Sequence, residues 1–353
     1  MDAFGPLNIT AQSLAEEAGK VQRKLEAGID TLREMDEVHF GVTAREEVWR
    51  DGKTVLYRFV GDKPATGPAL LIVYALVNRP YMVDLQHDRS LVRGLLALGM
   101  DVYVLDWGYP DRSDRYLTLD DYINRYIDGP IDYMVDAHGG PVNLLGICQG
   151  GAFSLCYSAL NPRKVRNLIT MVTPVDFHTA DNMLSNWNRE IDVDLLVDTL
   201  GNIPADMMNL TYLMLKPWRL FAQKYVGMVD ILDDKKAMED FLRMEKWIFD
   251  SPDQAGEAFR EFNTQFFQGN KFVKGGAEVG VTNHLNGKAV GVHFGQHVGH
   301  IDGMVVIGVE HRQLAVGLGQ LQNGVGGGIN RRKLNRLTQR TDGELAENLI
   351  AFK

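Results

Sequence analysis

The sequence predicts an α/β fold: a mainly parallel sheet covered by helices on both faces, with a helical insertion in the second half of the chain. Three features carry this expectation. Continuous apolar runs of strand length alternate with helix-like stretches between residues 55 and 175. One of those runs ends in Gly146-Ile147-Cys148-Gln149-Gly150 and is followed at once by small residues. From about residue 178 the rhythm gives way to a helix-like region rich in Met, Trp and Leu.

The elements follow in order. Residues 8–36 place Leu14, Val21, Leu25, Ile29 and Leu32 in one stripe at helical spacing, with Ser13 and Glu16 at capping-box distance. Residues 1–45 are therefore read as an N-terminal helical segment that packs on the body or binds a partner. Val55 to Val60 is a strand. Pro68 to Val77 (PALLIVYALV) is apolar throughout, as expected of a strand buried on both faces. Arg89 to Leu98 is a helix, and Asp101 to Asp106 (DVYVLD) is a second buried strand. Leu119 to Ala137 is helical, with a break expected at Pro130, and His138-Gly139-Gly140 ends it. Val142 to Ile147 is a third buried strand, Gly151 to Ala159 a helix, and Val165 to Val175 a fourth strand.

Residues 46–177 thus form the first part of a sheet core. Residues 178–270 contain Trp187, Trp218, Trp247, Met207, Met208 and Met214. They are read as a helical cap over an active site, the alternative being ordinary core. Residues 271–353 are expected to complete the core. In them, however, Gly275 to Gly328 is dense in glycine and holds five of the 9 histidines, and no proline follows Pro252, no tyrosine Tyr225 and no tryptophan Trp247.

Composition excludes some functions. The 353-residue chain carries a net charge of -9, the wrong sign for a general nucleic-acid binder. Its two cysteines, Cys148 and Cys156, fit a reducing compartment better than a disulfide scaffold. The first residues show no basic segment followed by an apolar run, and no stretch approaches the roughly 20 apolar residues of a membrane span. A cytoplasmic protein without a transmembrane segment is expected. No glycine-rich phosphate loop is present, so no nucleotide cofactor is expected.

The chemistry is carried by VNLLGICQGG, residues 142–151. It has the strand–turn–helix context of a nucleophile elbow, with Cys148 where serine usually stands, which points to the α/β-hydrolase fold. A nucleophile on a sharp turn projects above the sheet. Its neighbours two residues away must be tiny, hence Gly146 and Gly150. The N-terminus of the following helix is expected to stabilise a thiolate and a developing oxyanion, with the Gln149 N–H as one donor. The loop after the first buried strand, Tyr74 to Tyr81, is expected to supply the second, from the backbone of Val77 or Asn78. Cys156 is read as a passive core thiol. A thiol nucleophile also favours acyl transfer over plain ester hydrolysis, because a thioester forms another thioester at little net cost.

From GICQGG outward the chain resembles the catalytic subunits of the class III polyhydroxyalkanoate synthases. LLIVYALVNRPYMVDLQ, DVYVLDWGYPDRSDR, LTLDDYIN, VNLLGICQGGAFSL, VRNLITMVTPVDF and FLRMEKWIFDSPDQAGEAFREF carry the likeness, in collinear order over roughly residues 50 to 270. The resemblance implies an acyltransferase that polymerises (R)-3-hydroxyacyl-CoA, typically 3-hydroxybutyryl-CoA, with release of CoA. Cys148 would hold the growing acyl chain as a thioester, with a His as general base and an Asp assisting it. It implies no cofactor beyond the coenzyme A of the substrate. It also implies a second subunit (PhaE), an oligomeric assembly, and residence at the surface of a polyester granule.

The resemblance stops at about Gly276. The Asp should fall near Asp302 and the His near residue 330, where Asn330 stands; the surrounding strings do not match the family's. His297, His300 and His311 are the remaining candidates for the base by residue type, and His293, His297 and His300 share helical spacing of the kind found in metal sites. Glycines at 291, 295, 299 and 303 oppose such a helix, so no metal is expected. Either a reading-frame shift or a divergent tail accounts for the break, and resequencing the DNA decides between them. Two other functions remain open here: a Cys-dependent ester or lactone hydrolase of the same fold, and a catalytically incomplete granule-associated protein.

Overall fold

The computed structural model describes residues 40–180, 182–274, 276–280 and 305–306. The helix expected over residues 8–36 lies outside them. Within them, seven strands form one sheet: β1 (Arg45–Asp51), β2 (Thr54–Phe59), β3 (Ala69–Val73), β4 (Asp101–Asp106), β5 (Val142–Ile147), β6 (Val165–Met171) and β7 (Val305–Val306). Their spatial order is β1-β2-β4-β3-β5-β6-β7. The strand β2 is antiparallel to both its neighbours, and every pair from β4 onward is parallel. Helices α1 (Leu91–Ala97), α2 (Asp128–His138) and α3 (Gln149–Leu160) make the crossovers between the parallel strands.

The strands form where the apolar runs lie, because a parallel strand covered on both faces must be apolar at most positions, its buried polar groups (Asp101, Asp106, Asn143) being hydrogen-bonded. All residues of β3, β4 and β5 are buried. The alternation of side chains then divides each run between two cores. Leu71, Val73, Leu105 and Leu144 join Ile127, Met134 and Phe153 on one face. Leu70, Ile72, Val102, Val104, Leu145 and Ile147 join Val92 of α1 on the other.

Several elements differ from expectation. The edge strand β1 was not legible: in REEVWRD only Val48 and Trp49 pack inward, and the pairing slips between Glu47 and Trp49. Charge and a bulge are how sheet edges resist further pairing. The strand β3 stops at Val73 rather than continuing to Val77, and β6 stops at Met171 because Val172 turns to φ 52. The break in the second helix falls at Tyr126–Ile127, ahead of Pro130. Pro130 sits in the first turn of α2, where its missing N–H has no intrahelical acceptor to lose. Gly139 ends α2 in the left-handed conformation, φ 69.

After β6 come α4 (Met183–Glu190), α5 (Val193–Leu200), α6 (Ala205–Met214), α7 (Lys235–Phe249) and α8 (Gly256–Phe262). Asn182, Asp192 and Asp234 cap α4, α5 and α7 by accepting main-chain N–H groups of the first turn. This region divides in two. Helix α8 and residues 263–272 belong to the main core: Phe262, Phe266 and Phe272 pack with Phe153 and Phe177, and Phe266 and Phe272 stack at 4.3 Å. Helix α7 instead lies along the chain after β3. Lys236, Asp240, Arg243, Trp247 and Asp250, spaced by four and three residues, meet Asp88, Arg89, Gln86, Arg79 and Tyr81 in turn.

Candidate active site

The C-terminal ends of β3, β4, β5 and β6 lie at one edge of the sheet, and the loops there converge on Cys148. This residue has φ 55 and ψ -126, a conformation that costs a residue with a Cβ of order 1–3 kcal/mol. The turn is held from both sides. The Cys148 N–H donates to the Met171 carbonyl at 2.9 Å, and the Gly151 N–H donates to the Cys148 carbonyl at 2.9 Å. Val172, next to Met171, is itself at positive φ, so two strained residues flank one hydrogen bond.

The glycines around Cys148 are required by contact. A Cβ at Gly146 would stand 2.5 Å from the Gly151 Cα. One at Gly150 would stand 2.5 Å from the Tyr74 carbonyl oxygen and overlap that of Val73. Gly151 is a third such position that the motif did not single out: a Cβ there would overlap the Thr173 hydroxyl. The α3 helix can therefore start flush against β3 and the loop after β6.

The thiol of Cys148 packs into the apolar cluster that includes Ile147, Tyr74, Val77 and Trp247. Burial pushes it above the ordinary thiol range, and the hydrogen bond from the Gln149 N–H opposes that shift without cancelling it. The N–H at the start of the helix does favour the thiolate, as expected, but burial acts more strongly in the opposite direction. Removal of water outweighs one N–H at the sulfur. Cys156 is fully buried in the core, and burial pushes its thiol up to about 12. Two phenols lie within electrostatic reach of Cys148. Burial first, and then the neighbouring Cys148, holds Tyr74 and Tyr212 of α6 well above their usual range.

The loop after β3 is pinned on either side of the expected oxyanion donors. The Leu76 N–H donates to Gln149 Oε1 at 3.1 Å. Three residues on, the Arg79 carbonyl accepts from the Trp247 indole N–H at 2.9 Å. Between them, the N–H groups of Val77 and Asn78 have no acceptor among the described residues. Of these contacts, sequence reasoning missed the Gln149 side chain, although its place beside the nucleophile was a signal.

Of the three described histidines, His87 is exposed, His138 bonds the Tyr103 hydroxyl at 3.0 Å, and His178 bonds the Phe267 carbonyl at 2.9 Å. Neither His138 nor His178 bonds the thiol. Asp302, Asn330, His293, His297, His300 and His311 lie outside the described residues. Among the described residues, no group of His, Cys, Asp and Glu could hold a metal ion, and no helix is long and apolar enough to cross a membrane.

Comparison with known proteins bears on the fold and the family. A family model described as the α/β hydrolase fold matches residues 68–278. The chain is 58% identical over 281 residues to the poly(3-hydroxyalkanoate) polymerase subunit PhaC of Allochromatium vinosum, covering 78% of this chain and 79% of that one. It is 56% identical over 279 residues to the protein of the same name from Thiocystis violacea, covering 78% of each. To that of a Synechocystis strain it is 50% identical over 268 residues, covering 73% of this chain and 71% of that one.

Proposed function

The chain belongs to the family of poly(3-hydroxyalkanoate) polymerase subunits of the α/β-hydrolase fold, and we propose that it is an acyltransferase that builds a polyester from (R)-3-hydroxyacyl-CoA through a thioester on Cys148. One observation carries the mechanism: the only residue at the strand–helix elbow able to attack a carbonyl is a strained cysteine, sealed in place by Gly146, Gly150 and Gly151. Glycines so tightly enclosed serve a nucleophile better than they serve a passive core thiol, which needs no strained backbone.

In the proposed reaction a base takes the Cys148 proton, and Sγ bonds the substrate carbonyl carbon. The oxyanion that develops is met by the Gln149 N–H and by the N–H of Val77 or Asn78. The C–S bond to coenzyme A then breaks, the protonated base gives its proton to the departing sulfur, and CoA leaves as the thiol. The hydroxyl oxygen of another unit attacks the Cys148 thioester, its proton passes to the base, and the new ester frees the sulfur. Sulfur suits this relay because each transfer trades one thioester for another before the ester forms. No cofactor is needed beyond the coenzyme A of the substrate.

Typically the acyl group would be 3-hydroxybutyryl, and the chain would work with a second polymerase subunit in an oligomer at a granule surface in the cytoplasm. Exposed apolar side chains support the granule location: Leu210, Met214, Trp218 and Val226 all stand exposed to solvent.

The test is CoA release from 3-hydroxybutyryl-CoA, with the second subunit present, by this chain and by Cys148→Ala. Release lost in the variant, with polymer as product, is the expected result. Free 3-hydroxy acid in place of polymer would make the protein a thiol hydrolase. Release that survives Cys148→Ala would refute the thioester.

A further inference from the structure

The stripe on α7 ends at the oxyanion loop, and its role there goes beyond packing. At Trp247 the indole N–H holds the Arg79 carbonyl at 2.9 Å. One turn further, the Asp250 carboxylate accepts from two phenols: Tyr81 at 2.8 Å and Tyr109 at 2.6 Å. These phenols belong to different loops, Tyr81 to the one after β3 and Tyr109 to the one after β4. The Asn78 side-chain amide donates to Ser251 Oγ at 3.0 Å. On the other side, Arg79 is fixed by Asp106 at 2.7 Å, by the Gly108 carbonyl at 2.9 Å, and by the Tyr109 ring under its guanidinium.

Four successive residues, Leu76 to Arg79, therefore have both ends clamped. One clamp is Gln149 on the elbow; the other is the C-terminal end of α7. The N–H groups of Val77 and Asn78, which have no acceptor among the described residues, lie between the clamps. An oxyanion hole works by preorganisation, and a donor misplaced by about 1 Å can cost roughly 100-fold in rate.

We infer that Trp247 and Asp250 are positioning residues for acyl transfer: by holding the Arg79 carbonyl and the Tyr81 and Tyr109 hydroxyls, they set the oxyanion donors at Val77 and Asn78. The inference rests on the thioester chemistry of Cys148 proposed above. It makes the α7 helix a working part of the site rather than a cover. A substrate or partner that shifts α7 would alter the rate of acylation without touching the sulfur.

The experiment separates two reactions of one thiol. Acylation by 3-hydroxybutyryl-CoA builds an oxyanion; alkylation by iodoacetamide does not. Both rates are measured on the full chain with the second subunit present, for Trp247→Phe, Asp250→Ala and Asp250→Asn. Trp247→Phe keeps an aromatic ring and removes the N–H. The expected result is acylation slowed about 10- to 100-fold in Trp247→Phe and Asp250→Ala. KM and the alkylation rate should stay within about twofold of the parent, with part of the activity restored in Asp250→Asn, which keeps one carbonyl acceptor. Acylation at the parent rate overturns the inference, as does a joint fall in acylation and alkylation, which marks general damage to the elbow. If Asp250→Ala does not fold, Tyr81→Phe with Tyr109→Phe removes the same two hydrogen bonds and is read in the same way. Cys148→Ala run alongside isolates the premise: CoA release surviving there sinks the thioester itself, whereas release lost there but unaffected at Trp247 and Asp250 sinks only their positioning role.

Discussion

Replacing Gly150 with alanine adds one methyl group at the most crowded point of the elbow. The new Cβ would stand 2.5 Å from the Tyr74 carbonyl oxygen and overlap the Val73 carbonyl. Both are main-chain atoms. Val73 is also the last residue of β3, paired in register with Gly146 of β5. No side-chain rotation relieves the clash, so the end of β3 must move by roughly 1 Å to reach ordinary contact. Overpacking of this kind costs about 1–3 kcal/mol. For a unit of this size that is roughly a 3–10 °C fall in melting temperature. The same movement carries the loop from Tyr74 to Asn78 away from Cys148, so CoA release should fall about 100-fold.

The assays are a thermal melt at a fixed scan rate and single-turnover CoA release. Gly151→Ala is the control. There the clash is with the Thr173 side chain, whose Cβ and Cγ2 would both be 2.8 Å away, so Thr173→Gly should restore much of the activity and stability that Gly151→Ala loses. No second-site change at a side chain should rescue Gly150→Ala. A Gly150→Ala protein with the parent melting temperature and parent CoA release would refute the account of the elbow.

The other contacts set further outcomes. Alkylation of Cys148 should show an apparent pKa above that of an ordinary thiol. Since burial raises it, the thiolate is scarce at neutral pH and the rate keeps rising into the alkaline range; a rate that levels off below the ordinary thiol pKa contradicts this. Cys156→Ala should leave CoA release within about twofold of the parent, and mass spectrometry after brief iodoacetamide treatment should find the label on Cys148 alone, because Cys156 is fully enclosed. Asp106→Ala leaves the nearly buried Arg79 guanidinium without its carboxylate and should cost about 3 kcal/mol, read as a lower denaturant midpoint.

Much of the fold was legible because burial dictates composition. The strands β4 and β5 coincide with the predicted runs to the residue, since a strand covered on both faces is apolar along most of its length. Where a strand is covered on one side only, that signal fails, and the charged edge strand β1 went unread. Element ends were harder. Val172 turns the chain out of β6 in the middle of an apolar run, and the break before Pro130 is displaced by the tolerance of a helix's first turn for proline. The elbow was legible because it needs a local pattern: Cys148, its flanking glycines and the strand before it are contiguous.

The sequence by itself determined the features that depend on neighbours along the chain: the apolar period of each buried strand, the elbow around Cys148, and long matching strings that place the chain among the polyester polymerase subunits. Only the tertiary structure decided the features that depend on neighbours in space. The Gly151 requirement comes from Thr173, which lies beyond the next strand. The raised thiol comes from burial among side chains of separate elements. The clamp on Val77 and Asn78 joins Gln149, Trp247 and Asp250 across widely separated stretches of chain, and no local spacing encodes a contact between elements that only folding brings together.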